Sequence, residues 1–326
     1  MREIPAKNTG VPGAFDVTSL SFMDDRGYLT TEHRNPRSQH LDRLSIPEAF
    51  DLINREDAGV AAAIAAARDD ICRAIGLVVA AFRTGGRLIY VGAGTSGRLG
   101  VLDATECPPT FLSDSKTVQG IVAGGIEALT RSVEEVEDHP EHGEAAMEEN
   151  AVGPNDVVFA VATGGTTPFV HGALRRAKQR GAKTVFLACV PKDQAADDAD
   201  VSIRVVTGPE VVTGSTRMKA GTATKMVLNM VSTIAMVQVG KVYQNLMVDV
   251  NTRANAKLVD RGTRMIQTIT GLGRDDAEAL LEAAGGRVKT ALVMHARRVD
   301  RPTAEAMLKE ADGHVGRIID SAGTIG

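Results

Sequence analysis

The chain has 326 residues, with 37 basic and 41 acidic side chains and a formal net charge of −4. Charge this balanced, with no basic stripe or tail, argues against nucleic acid and anionic membrane as partners, and scarce aromatics (8 Phe, 3 Tyr, no Trp) argue against a base-stacking platform. Three scattered cysteines, Cys72, Cys107 and Cys189, make neither a disulfide framework nor a C-x-x-C metal or redox pattern, so a cytoplasmic protein is expected.

Residues 1–44 read as an N-terminal arm, punctuated by Gly, Pro and Asp and lacking the apolar core of a signal peptide. "SIPE" at 45–48 is a Ser-x-x-Glu capping box and predicts a helix start. The Ala/Ile/Val spacing of "AGVAAAIAAARDDICRAIGLVVAAFRTGG" predicts one long helix closed by Gly85 and Gly86. "RLIYVG" (87–92) follows as a strand, with a helix opening near Ser96 that Pro108 should end. "TVQGIVAG" (117–124) reads as a Gly-interrupted strand, and the acidic stretch after it, through Asn150, as helical.

Continuous apolar runs at 156–162, 184–190 and the shorter 201–206 predict three more strands, buried on both faces where they are longest. An amphipathic helix with Pro168 near its start joins the first two, and a long helix from about 215 to 243 follows the last. The Met-rich part of that helix, 226–240, is too polar for a membrane span; it reads as central core, or as a face for a second subunit. The alternation predicts an α/β fold, a doubly wound parallel five-stranded sheet of flavodoxin-like type over 45–270. Residues 271–326 read as three or four short helices in a small helical domain.

Chemistry is concentrated where strands turn into helices. "IYVGAGTSGR" (89–98) satisfies G-x-G-x-x-G, a pattern that places backbone N–H groups and a helix N-terminus under a phosphate. An NAD site also needs an acid at the end of the second strand, and "GIVAGG" has none. Two further loops repeat the theme: "VATGGTTPF" (161–169), and "EVVTGSTRMKAGT" (210–222), which adds Arg217 and Lys219. Three hydroxyl-rich loops after three strands point to a sugar phosphate rather than a dinucleotide. In "HPEHGE" (139–144), Pro140 and Gly143 disfavour a helical metal face, and no metal is expected. Cys107 reads as a small buried residue and His171 as structural.

Four stretches, "TEHRNPRSQHLDRLS" (31–45), "RLIYVGAGTSGRLGVLDATECPPTF" (87–111), "EVVTGSTRMKAGTATKMVLNM" (210–230) and "GKVYQNLMVDV" (240–250), resemble the N-acetylmuramic acid 6-phosphate etherase family. The resemblance implies the sugar isomerase (SIS) fold, a ubiquitin-associated-like C-terminal domain, a homodimer with sites near its interface, and no metal or organic cofactor. It implies a lyase that cleaves the D-lactyl ether of N-acetylmuramic acid 6-phosphate to N-acetylglucosamine 6-phosphate and D-lactate in cell-wall amino-sugar recycling. Glu106 matches the family's proton donor, and Glu137 its second catalytic glutamate, here the candidate C2 base and water activator. Gly94, Thr95, Ser96, Gly97, Thr163, Thr166, Thr167, Ser215, Thr216 and Lys219 are the expected phosphate and sugar contacts. One departure stands out: the family's Ser-Gly-Arg-Thr-Pro loop is Gly164-Gly165-Thr166-Thr167-Pro168 here. "EHRNPRSQHLDR" is expected to help close the site. Two rival readings are a non-catalytic phosphosugar sensor, as in the similar glucokinase regulatory protein, and an aldose–ketose isomerase.

Overall fold

The computed structural model describes residues 25–133, 135–250, 252 and 256–320. Five parallel strands, β1 Leu88–Gly92, β2 Val118–Val122, β3 Val157–Val161, β4 Lys183–Ala188 and β5 Val201–Arg204, form one sheet in the order β2-β1-β3-β4-β5. This is the expected doubly wound arrangement. Its topological switch lies between β1 and β3, where ligands of open α/β sheets collect.

Alternate residues of each central strand feed two different cores, as the period of two requires. Leu88, Tyr90, Val157 and Phe159 pack on one side with α3 (Arg68–Arg83), α4 (Gly94–Phe111) and α8 (Lys219–Gln238). Ile89, Val91, Val158 and Ala160 pack on the other, with Met147 of α6 (Pro140–Glu149) and Val170 and Leu174 of α7 (Pro168–Gln179). A third core, from Val248 to Ile318, joins α9 (Ala256–Thr270) to the four short helices α10 (Arg274–Ala283), α11 (Val288–Arg297), α12 (Arg301–Glu310) and α13 (Val315–Ile319).

The capping box holds: Ser45 N–H donates to Glu48 Oε2 at 2.8 Å and α1 runs Ile46–Asp57. The expected single long helix is instead two, α2 (Val60–Ala66) and α3, because Ala67 N–H turns back to Ile64 O and tightens one turn. Both pieces still present Val60, Ile64, Ile71 and Val78 to the same core. The acidic stretch is also broken, into a short α5 (Glu127–Thr130), a loop, and α6, whose first residue is Pro140. α8 begins at Lys219, later than expected, since residues 213–218 form turns.

Pro108 does not end α4. Pro108 and Pro109 fall in its last turn and give up their i→i−4 bonds there, yet the helix runs on to Phe111 and closes on Leu112, in the left-handed region, whose N–H donates to Pro108 O at 3.0 Å. α4 is held to the sheet by Asp103, which accepts from Tyr90 Oη at 2.9 Å, Asn229 Nδ2 at 2.6 Å and Ser232 Oγ at 3.1 Å. At its other end Gly97 lets helix meet strand: a Cβ there would lie 2.5 Å from Gly92 O and 2.7 Å from Val122 Cγ2. Gly97→Ala is therefore expected to cost about 1–3 kcal/mol, read as a lowered melting temperature.

Candidate active site

At the C-terminal ends of β1 and β3 lies a cavity of about 250 Å³. The N-terminus of α4 opens onto it. Ala93, the N-cap of α4, offers no side-chain cap, so the first amides of that helix lack an internal partner. The start of α7 lies beside it but its amides are spent: Pro168 has none, Phe169 N–H donates to Glu137 O, and Val170 and His171 N–H donate to Thr167 O. The α4 terminus contributes roughly half a positive charge toward whatever occupies the cavity. The third expected terminus is closed: Lys219 and Ala220 N–H donate to the Glu210 carboxylate at 3.0 and 2.9 Å. Glu210 is fully buried, and that burial pushes its pKa up against the pull of the two amides.

Glu137 reaches the cavity on a loop rather than a helix. Phe169 N–H, an otherwise orphan amide near the start of α7, donates to Glu137 O at 3.0 Å. Upstream, Arg98 on α4 donates to Ala128 O and Arg131 O, both at 2.7 Å, and ties the same segment to the start of α4. The second loop turns at Gly165, with φ +83° and no room for a Cβ, which would sit 2.4 Å from Ala195 Cβ. His171 braces that turn, its Nε2 lying 2.7 Å from Gly165 O.

The arm closes over its own chain's cavity, lining it with Arg26, Leu29 and Glu32. Thr30 N–H and Oγ1 both donate to Gln194 Oε1 at 2.9 Å. Ser38 Oγ donates to Val211 O at 2.7 Å, and Asn35 Nδ2 to Glu56 Oε2 at 2.9 Å. Arg37 and Lys219 both pair with that same Glu56.

A family model of the SIS domain matches residues 126–234, and one of the glucokinase regulatory protein N-terminal SIS domain matches residues 70–178. An N-acetylmuramic acid 6-phosphate etherase from Synechocystis sp. is 52% identical over 303 residues, spanning 93% of this chain and 99% of its own. One from Gloeobacter violaceus is 55% identical over 291 residues, spanning 89% and 95%. The chain belongs to the N-acetylmuramic acid 6-phosphate etherase family. Among solved structures, a phosphoheptose isomerase from Francisella tularensis aligns with 60% of this chain and 97% of its own, at 17% identity and a TM-score of 0.40.

In this etherase-family chain Gly94, Thr95, Ser96, Thr163, Thr166, Thr167, Thr216 and Glu137 all line the cavity. Gly97 does not: its N–H already bonds Ala93 O at 3.3 Å and its α-carbon packs on β1. Ser215 stays outside the lining, its N–H closing a turn on Val212 O. Lys219 is turned into the interior, its Nζ 2.8 Å from Glu56 Oε2. Glu106 is exposed and absent from the lining. Because α4 continues unbroken, it sits more than three turns, about 18 Å, from the helix start at the cavity.

Burial pushes the Cys107 thiol up to about 12, in keeping with a packing role. Within the stretch expected to be helical, "HPEHGE" is helical from Pro140, with Gly143 on the buried side. His139, Glu141 and His142 bring ligand-type atoms within 4.8 Å of one another; all three are exposed and none lines the cavity. Of the arm residues at the cavity, Arg26 was missed by sequence reasoning. Glu32 lay within a matching stretch, whereas Arg26 carried no signal. No helix among the described residues is long and apolar enough to cross a membrane.

Proposed function

We propose that this chain is a carbon–oxygen lyase that converts N-acetylmuramic acid 6-phosphate to N-acetylglucosamine 6-phosphate and D-lactate, in cytoplasmic recycling of cell-wall amino sugar. The observation that carries the reading is an acidic residue, Glu137, lining the same cavity as the uncapped N-terminus of α4, in a chain of this family. The amides and hydroxyls of Thr95, Ser96, Thr163 and Thr167 hold the 6-phosphate. Opening of the sugar ring makes C1 an aldehyde and the C2 proton acidic. Glu137 removes that proton, the C3–O bond breaks as lactate accepts a proton, and water adds to the resulting C2=C3 bond. No cofactor enters these steps.

Glu106 supplies the leaving-group proton in this scheme, from a second copy of the chain. Its distance from its own cavity supports that assignment, as do the large apolar side chains exposed on neighbouring helices: Leu102 on α4, Ile234 and Val237 on α8. The protein is on this reading a homodimer, and α10 to α12 fit a ubiquitin-associated-like module. A phosphosugar sensor needs only the phosphate cup; the carboxylate in the cavity favours the lyase. Incubation with N-acetylmuramic acid 6-phosphate is expected to release D-lactate in step with N-acetylglucosamine 6-phosphate. Tight binding without lactate would leave the sensor standing.

A further inference from the structure

The cavity is poor in positive charge for the ligand assigned to it. Among the described residues its lining carries two acidic side chains, Glu32 and Glu137, and a single basic one, Arg26. A phosphate monoester adds about −1.5 to −2 at neutral pH. The open N-terminus of α4 offsets roughly half a charge, which leaves the pocket short of a cation. The basic residues offered by the third loop are placed elsewhere: Lys219 is bound to Glu56, and Arg217 is exposed outside the lining.

Arg26 is exposed, and its guanidinium makes no ion pair with a described residue. Its backbone is fixed all the same. Leu29 N–H donates to Arg26 O at 3.0 Å, Gly27 N–H donates to Asp25 Oδ1 at 2.9 Å, and Leu29 is 1% exposed in the sheet's second core. A free guanidinium on an anchored turn is suited to forked hydrogen bonding with phosphate oxygens. We infer that Arg26 is the charge partner of the ligand's 6-phosphate, an arginine brought by the arm rather than by a loop of the sheet. The assignment rests on the phosphosugar reading and deepens it. Thr166 faces the same cavity with a neutral side chain, which offers a second place to install the charge.

The test is calorimetric titration of the full chain with N-acetylglucosamine 6-phosphate, which has the phosphate and lacks the lactyl carboxylate. Arg26→Met is expected to weaken binding about 10- to 100-fold, the range for charged hydrogen bonds. The Arg26→Met/Thr166→Arg double variant is expected to recover affinity, which a folding defect would not allow. Unchanged affinity in Arg26→Met overturns the assignment. So does a loss confined to N-acetylmuramic acid 6-phosphate, since Arg26 would then read the lactyl carboxylate. Failure of the wild type to bind either phosphosugar sinks the parent reading instead, and absence of lactate release bears only on the lyase chemistry.

Discussion

Dimers assembled from one Glu106→Gln chain and one Glu137→Gln chain are expected to regain about half of the wild-type turnover, although each parent homodimer is slowed about 10²- to 10⁴-fold. The reason is geometric. Glu137 and the open N-terminus of α4 share a cavity, while Glu106 rides the same helix about 18 Å further on. A straight helix cannot fold back on itself, so on the proposed reading the two carboxyl groups at one sugar come from two chains. In a mixed dimer, one composite site carries both substitutions and the other carries neither.

Two distinguishable affinity tags isolate the mixed species, and D-lactate release measures it. A mixed dimer no faster than its parents would mean that Glu106 does not act across the interface. A second check comes from proton exchange at C2 in deuterated water. Glu106→Gln, which removes only the acid, should still wash deuterium into C2 of bound substrate, whereas Glu137→Gln should not. Equal loss of exchange in both variants would remove the division of labour between the two groups.

Much of the sheet was legible because buried strands leave continuous apolar runs with glycine and hydroxyl residues after them. "DVVFAVA" and "TVFLACV" became β3 and β4 with little change in their bounds. Both loops that line the cavity were legible for the same reason: the glycines and threonines that follow β1 and β3 fall where the sheet reverses its strand order. What local pattern misjudged was how far helices run. Proline removes a ladder bond without always stopping the turn it sits in, and at 108 and 109 the helix carries both prolines through its last turn. Reading it as a stop moved Glu106 next to the sugar.

Residues whose roles depend on distant partners were illegible on principle. Lys219 looks like a phosphate ligand beside "TGSTRM", yet its partner is Glu56, 163 positions away. Glu56 sits in a polar helix where nothing nearby marks it as buried. Arg26 lies in a stretch with no period at all, and only the packing of Leu29 brings it to the cavity. Hydrophobic periodicity reports which face of an element is buried, not which loop that face is buried under.

Glu56→Gln is expected to lower the unfolding free energy by about 3–5 kcal/mol, the usual result of removing one partner from a buried ion pair. Lys219 is the reason: its side chain is 4% exposed and would be left as an uncompensated charge. Arg37, more than half exposed, loses a partner but regains water. A Glu56→Gln/Lys219→Met double variant should therefore recover part of the loss, which a purely local defect at Glu56 would not. The effect carries a pH signature. Hydrogen bonding from Arg37 above all, helped by Lys219 and Asn35 and opposed by burial, holds the Glu56 carboxyl at about 2, against an ordinary 4.5. A carboxyl depressed by folding stabilises the native state above its unfolded pKa, and that contribution drains away as pH falls through the folded value. Wild type and Glu56→Gln should thus differ most above pH 4.5 and converge toward pH 2 in urea unfolding. A gap that stayed constant across that window would show that the carboxylate's charge is not what clamps the arm. The clamp also reaches function, because Asn35 and Arg37 belong to the arm that lines the cavity. Short of unfolding, Glu56→Gln should raise KM for the phosphosugar more than it lowers kcat, since it loosens the wall of the cup and leaves Glu137 in place.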